Sequence, residues 1–297
     1  MRGRAWFFIA ALTLTAGGPA LAQDARNGSE QAPIIVEGRS PDQAIRALVE
    51  SLPPAPANGH IARFEHTACP AVLGIPPDQR LAVAARMRAV GAAAGVPMGS
   101  ARCHPNVLVL VTPDKRQFIE QLARRFPTYL GELSRREIAR LAQSPGPTAW
   151  WHLSGMVDAD GREIHPASDS VPILRTTRAG SRLTEQAHSE FIGSALVVEA
   201  RALEGLTTTE LADYAAMRTF SGADPARLTD RNLSTILTLL DTPMGSEAPV
   251  TLTSWDLAFL ESLYRSSANT YAPGQRGEIQ AGMRRALERA SNGEGHH

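Results

Sequence analysis

The chain is predicted to be an α+β protein, a mixed sheet with helices, because strand-like runs precede helix-like runs along it. "NVLVLV" at residues 106–111 is a short continuous apolar run, the pattern of a buried strand, and "FIGSALVVEAR" at 191–201 is the best strand candidate in the second half. Beyond residue 200 the apolar residues recur at helical spacing, and two of the segments open on Thr-x-x-Glu or Thr-x-x-Asp capping signals.

Taken in order, the first 22 residues read as a secretory signal, with Arg2 and Arg4 ahead of the apolar stretch Trp6 to Leu14 and Ala20-Leu21-Ala22 at the cleavage point. That stretch is too short to span a bilayer, and nothing after it approaches the required apolar length, so no membrane span is expected after cleavage. Residues 23–39 read as a flexible lead-in, 40–290 as a single domain and 291–297 as a disordered tail. Ser40-Pro41-Asp42-Gln43 starts a helix to about Leu52, which "PPAPANG" ends. A second helix follows Pro76-Pro77-Asp78 through "QRLAVAARMRAVGAAAG". The 106–111 strand stops at Thr112-Pro113-Asp114 and feeds a helix with Phe118, Leu122 and Phe126 on one face. Ser134 to Glu137 is a capping box that starts the next helix, ending near Gln143.

Between 148 and 200, "TAWWHLSGM" and "REIHP" flank the hairpin-like turn Asp158-Ala159-Asp160-Gly161, and "VPILRTT" and "SRLTEQ" flank Ala179-Gly180 in the same manner. Helices are expected over 207–220, 231–240, 254–265 and 276–290. Adjacent Trp150 and Trp151 on a strand must face opposite sides.

Composition excludes several functions. Removing Arg2 and Arg4 with the leader leaves 28 basic residues against 30 acidic, a formal charge of −2, which gives no electrostatic case for nucleic acid. Cys69 and Cys103 are the only cysteines, and export makes a disulfide between them the default over a metal pair with His66 and His104. There is no GxSxG elbow, no GxGxxG or GxxxxGK[ST] loop, and no serine three residues before Lys115, the only lysine. No cofactor is expected on these grounds.

"GLTTTELADYAAMR" (205–218) and "LTSWDLAFLESLY" (252–264) carry a resemblance. Residues 252–264 resemble the terminal helix of matrix-type metzincins, and residues 205–218 lie where zincins place HExxHxxGxxH on a helix following a mixed sheet. Laying that motif on 209–219 puts Thr209, Asp213 and Thr219 at the three ligand positions, Glu210 at the general base and Ala216 at the glycine. "LSTIL" (233–237) falls near the Met-containing turn, without its methionine. The chain is thus similar to a zincin shell that lacks its zinc ligands, and, with "CHPNVLVLV" added, to a family of secreted alphaproteobacterial proteins carrying a domain of unknown function. The resemblance implies a zincin-like fold in the periplasm or outside the cell and no established activity. Without any ancestor, Thr207 and Glu210 form a capping box with Leu206 and Leu211 as a hydrophobic staple, and Thr253 and Asp256 repeat it with Leu252 and Leu257. The expected function is that of an inactive shell binding a peptide or envelope protein; the rival is an envelope hydrolase with an unconventional metal site around Asp213, or with carboxylates the sequence does not single out.

Overall fold

The structure, a computed structural model, describes residues 40–55, 59–164, 177, 180–181, 184, 186–230, 232–240 and 248–294. The leader and lead-in, the "VPILRTT" arm of the second predicted hairpin and residues 295–297 lie outside them, apart from Thr177. Among the described residues no helix is long and apolar enough to cross a membrane.

Among the described residues the sheet has four strands: β1 (Pro70–Leu73), β2 (Val107–Thr112), β3 (Thr148–Asp158) and β4 (Ala187–Glu199), in the order β1-β2-β4-β3. The first three in that spatial order run parallel, and β3 lies antiparallel to β4 as an edge strand. This mixed sheet bears out the α+β expectation. β1 had no sequence expectation, since four residues beginning with proline carry no usable period.

Alternation along β2 and β4 divides the interior in two. Val107, Val109, Leu196 and Val198 enter the larger core, shared with α1 (Pro41–Glu50), α2 (Pro77–Ala94), α5 (Thr208–Ser221), α6 (Ser254–Arg265) and α7 (Ala272–Glu294). Leu108, Leu110, Ala195 and Val197 enter a smaller one with Phe118 and Leu122 of α3 (Lys115–Arg125) and Ile138 and Leu141 of α4 (Arg135–Ala142). Trp151 is buried in the smaller core and Trp150 packs against the larger, so the pair does straddle the sheet.

Local chemistry sets the helix starts. Asp114 caps α3 by accepting from the Gln117 amide, and Ser134 and Glu137 form the full box on α4. Ser40 is the N-cap of α1 but makes no side-chain bond; its carbonyl takes the Gln43 amide instead.

Three expectations need correction. Phe126 ends α3 on the surface, against Tyr129, because the helix breaks there into a single 3-10 turn. The helix expected over 231–240 is, among the described residues, only a 3-10 turn at Ile236–Thr238, held by side-chain hydrogen bonds described below. The tail expected to begin at Ser291 instead continues α7 to Glu294.

The disulfide Cys69–Cys103 is present, joining the residue before β1 to the loop before β2. Beside it Asn106 accepts from the Cys69 amide through Oδ1 and donates through Nδ2 to the carbonyls of Thr67 and Ile192. Lys115 is buried, and its Nζ donates to the carbonyls of Ser144, Gly146 and Thr148. Its three donors hold a turn, so it is unable to serve the Ser144 hydroxyl as a base, although that oxygen lies 3.1 Å away.

Candidate functional site

α5 is buried from Glu210 to Ser221, through all its faces. Alanines 212, 215 and 216 let it lie close under the sheet, and Gly222 ends it in the left-handed conformation at φ 68°. This is the environment of a central packing element.

The four residues placed on the peptidase motif do not converge. Thr209 is exposed to solvent. Glu210 closes the capping box: its carboxylate accepts from the Thr207 amide at 2.7 Å while the Thr207 hydroxyl accepts from the Glu210 amide at 3.2 Å. Thr219 donates back to the Ala215 carbonyl one turn earlier. Asp213 is 0% exposed, and its two oxygens accept four hydrogen bonds. Arg86 of α2 supplies two of them, at 2.7 and 3.0 Å, and the Thr251 hydroxyl and Leu252 amide supply the others. A carboxylate so occupied pins α2, α5 and the approach to α6 together, and its charge is already met by the Arg86 guanidinium.

The "LTSWDL" helix start does more than cap α6. Asp256 closes the box with Thr253 and also accepts from the Thr235 hydroxyl and the Ile236 amide, so it fixes the 3-10 turn within "LSTIL".

A histidine does reach α5, from β3. His152 Nε2 lies 2.9 Å from the Thr219 carbonyl, its ring stacks on Phe191 at 3.7 Å, and Trp150 packs edge-on to it at 5.5 Å. The carbonyl acceptor requires Nε2 to carry the proton. Burial pushes the imidazole pKa down to about 4, with the Thr219 bond opposing and the Arg218 charge adding to the fall. The folded value lies below the unfolded one, so the unfolded chain takes up a proton that the folded chain refuses as pH falls from 6.5 towards 4. Stability contributed by neutral His152 is therefore present above pH 6.5 and lost in that window, by about 3 kcal/mol. Urea unfolding of wild type and His152→Gln at pH 7 and pH 4 should show the difference between them narrowing by that amount.

The outer side of β3 is another feature of interest. The Met156 carbonyl and Asp158 amide bond residues 164 and 162 on that side, which closes the turn at Asp158–Gly161. By alternation the backbone groups of Trp150, His152 and Ser154 point outward too, and among the described residues no strand pairs with them. Nearby, Met156 is 44% exposed and Ile192 48%. Ile192 is the extra residue of a bulge in β4, where the register jumps between Leu153 and Ser154. Gly155 makes room for it: a Cβ there would lie 2.6 Å from an Ile192 methyl carbon.

A third feature carries little signal in the sequence. β4 extends past the start of β2, and in that region the Phe191 amide bonds the Arg63 carbonyl. This places Glu65 and His66 beside His188 and Glu190. Glu65 accepts from His188 Nε2 at 2.8 Å, and His66 Nδ1 lies 2.7 Å from Glu190 Oε2. Burial raises the Glu65 pKa, but the His188 hydrogen bond and the neighbouring cationic side chains outweigh it and leave it below the ordinary value. The hydrogen bond to Glu190 holds His66 above the ordinary imidazole range despite partial burial. The one sequence signal is His188-Ser189-Glu190, whose i, i+2 spacing puts both side chains on one face of a strand.

No family model, curated protein or solved structure matches the chain.

Proposed function

We propose that the mature protein is an exported, periplasmic or secreted binding module, a zincin-like shell without a hydrolytic centre, that holds an extended peptide or protein segment along the outer edge of β3. The observation that carries this reading is the row of outward backbone groups on Trp150, His152 and Ser154. A strand added there gains main-chain hydrogen bonds, and the exposed Met156 and Ile192 offer apolar contacts to alternate side chains of the guest. Support for an exported compartment comes from the basic-then-apolar leader and from the disulfide. Support for the shell comes from the order of parts: a mixed sheet with an antiparallel edge strand, then α5, then the turn within "LSTIL", then α6. Catalysis on α5 is disfavoured because Glu210 and Asp213 are committed to capping and ion pairing.

The test is fluorescence anisotropy with labelled, unstructured peptides whose apolar residues alternate. Ser154→Pro removes one outward N–H while leaving the β3–β4 ladder intact, so binding should fall at least tenfold without loss of the folded far-UV spectrum. Methylating alternate backbone nitrogens of the bound peptide should have a similar effect. Peptides that bind Ser154→Pro as well as wild type, or that fail to bind either, would overturn the reading.

A further inference from the structure

We propose that His66, Glu163 and Glu190 bind one divalent transition-metal ion of the zinc class. One ligand atom from each of the three side chains lies within 4.8 Å of the other two. Ligand atoms bound at about 2.0–2.2 Å around a tetrahedral ion stand roughly 3.3–3.6 Å apart, so small side-chain rotations close the set. Two carboxylates and a neutral imidazole carry two negative charges, which balances a divalent cation. The imidazole favours zinc or a neighbouring transition ion over calcium or magnesium, which prefer all-oxygen sets.

A separate observation points independently to a ligand. The Glu190 side chain is 1% exposed, His66 takes only its Oε2, and Oε1 is buried with no hydrogen-bond partner among the described residues. An orphaned carboxylate oxygen in a protein interior is costly, and a cation at that position satisfies it. Gly155 lies across the strand pair from Glu190, 3.8 Å from Oε1 at the position a Cβ would take. His66 is 44% exposed, so the set reaches the surface on its side.

The three ligands come from three places in the chain: the segment before β1, the residues after the β3 turn, and β4. Glu163 sits in the short stretch that pairs with the far end of the β3 outer edge. A bound ion would fasten that stretch to the sheet, next to the outward backbone groups of β3. Metal uptake is measured without any peptide, so the site stands or falls apart from the peptide-binding reading.

The experiment uses the untagged mature chain carrying His296→Ala and His297→Ala, which removes a terminal chelating pair. After chelator dialysis, calorimetric titration with zinc chloride should give one equivalent bound in the micromolar range or tighter, with a rise in melting temperature. Calcium chloride should bind at least tenfold more weakly. Glu190→Gln and His66→Gln should each weaken zinc at least tenfold while melting cooperatively in chelator, whereas Asp213→Asn should bind zinc as wild type does. His66 is partly exposed, so its variant carries the test if Glu190→Gln misfolds. No zinc uptake, or uptake unchanged in the folded His66 and Glu190 variants, would overturn the site.

Discussion

Replacing Arg86 with alanine is expected to lower stability by about 2–4 kcal/mol, because it leaves a fully buried carboxylate without its charged partner. Asp213 would keep only the Thr251 hydroxyl and the Leu252 amide as neutral donors. The effect is asymmetric. Asp213→Ala frees an arginine that is already 41% exposed and can hydrate, so it should cost less than Arg86→Ala, about 1–2 kcal/mol. Urea unfolding of the two single variants and the double variant would measure the coupling, and the double should cost clearly less than the sum of the singles. Strict additivity would mean that the pair does not hold α2 to α5. The same series separates two roles for Asp213. A metal ligand would change ion content when removed; a structural anchor changes stability alone.

That anchor shows where reading the sequence succeeds and where it stops. Capping signals are local, and they place α4, α5 and α6 to within a residue, because Thr207, Ser134 and Thr253 need only their own next turn to act. The apolar runs place β2 and the later part of β4, where Ala195 to Val198 are buried on both faces; the earlier part, with His188, Ser189 and Glu190, carries no such signal. The partner of Asp213 is not legible, since Arg86 lies 127 residues away and nothing in "AARMRAV" marks it as different from the other arginines. Nor is the short strand β1, or the meeting of Glu65 and His66 with His188 and Glu190, which depends on β4 outrunning β2. The peptidase motif points to α5 as the candidate site, yet α5 is packed on all sides, and the donors that do meet are His66 before β1, Glu163 after the β3 turn and the buried Glu190 of β4. Periodicity says which face is buried; it does not say which polar groups from distant segments arrive at the other face.

Loss of the Cys69–Cys103 bridge should have the other large effect, about 3–4 kcal/mol from the chain entropy of the loop it closes, across a sequence separation of 34. Most of that effect should arise in the unfolded chain. The native junction has its own further ties: the Cys69 carbonyl accepts from the Asn106 and Val107 amides, and Asn106 links the Cys69 amide, the Thr67 carbonyl and the Ile192 carbonyl. The β1–β2 pairing begins there too, at Pro70 and Val107. The Cys69→Ala/Cys103→Ala double variant should therefore keep a native near-ultraviolet spectrum while its melting temperature falls by about 10 °C, given roughly 2–4 °C per kcal/mol for a domain of this size. Adding reductant to the wild type should reproduce the shift and leave the variant unmoved. Adding Asn106→Ala to the cysteine variant should reduce cooperativity, since the strand starts then lose both ties. A variant whose tertiary spectrum collapses with the bridge alone would place the main role of the disulfide in holding the folded junction.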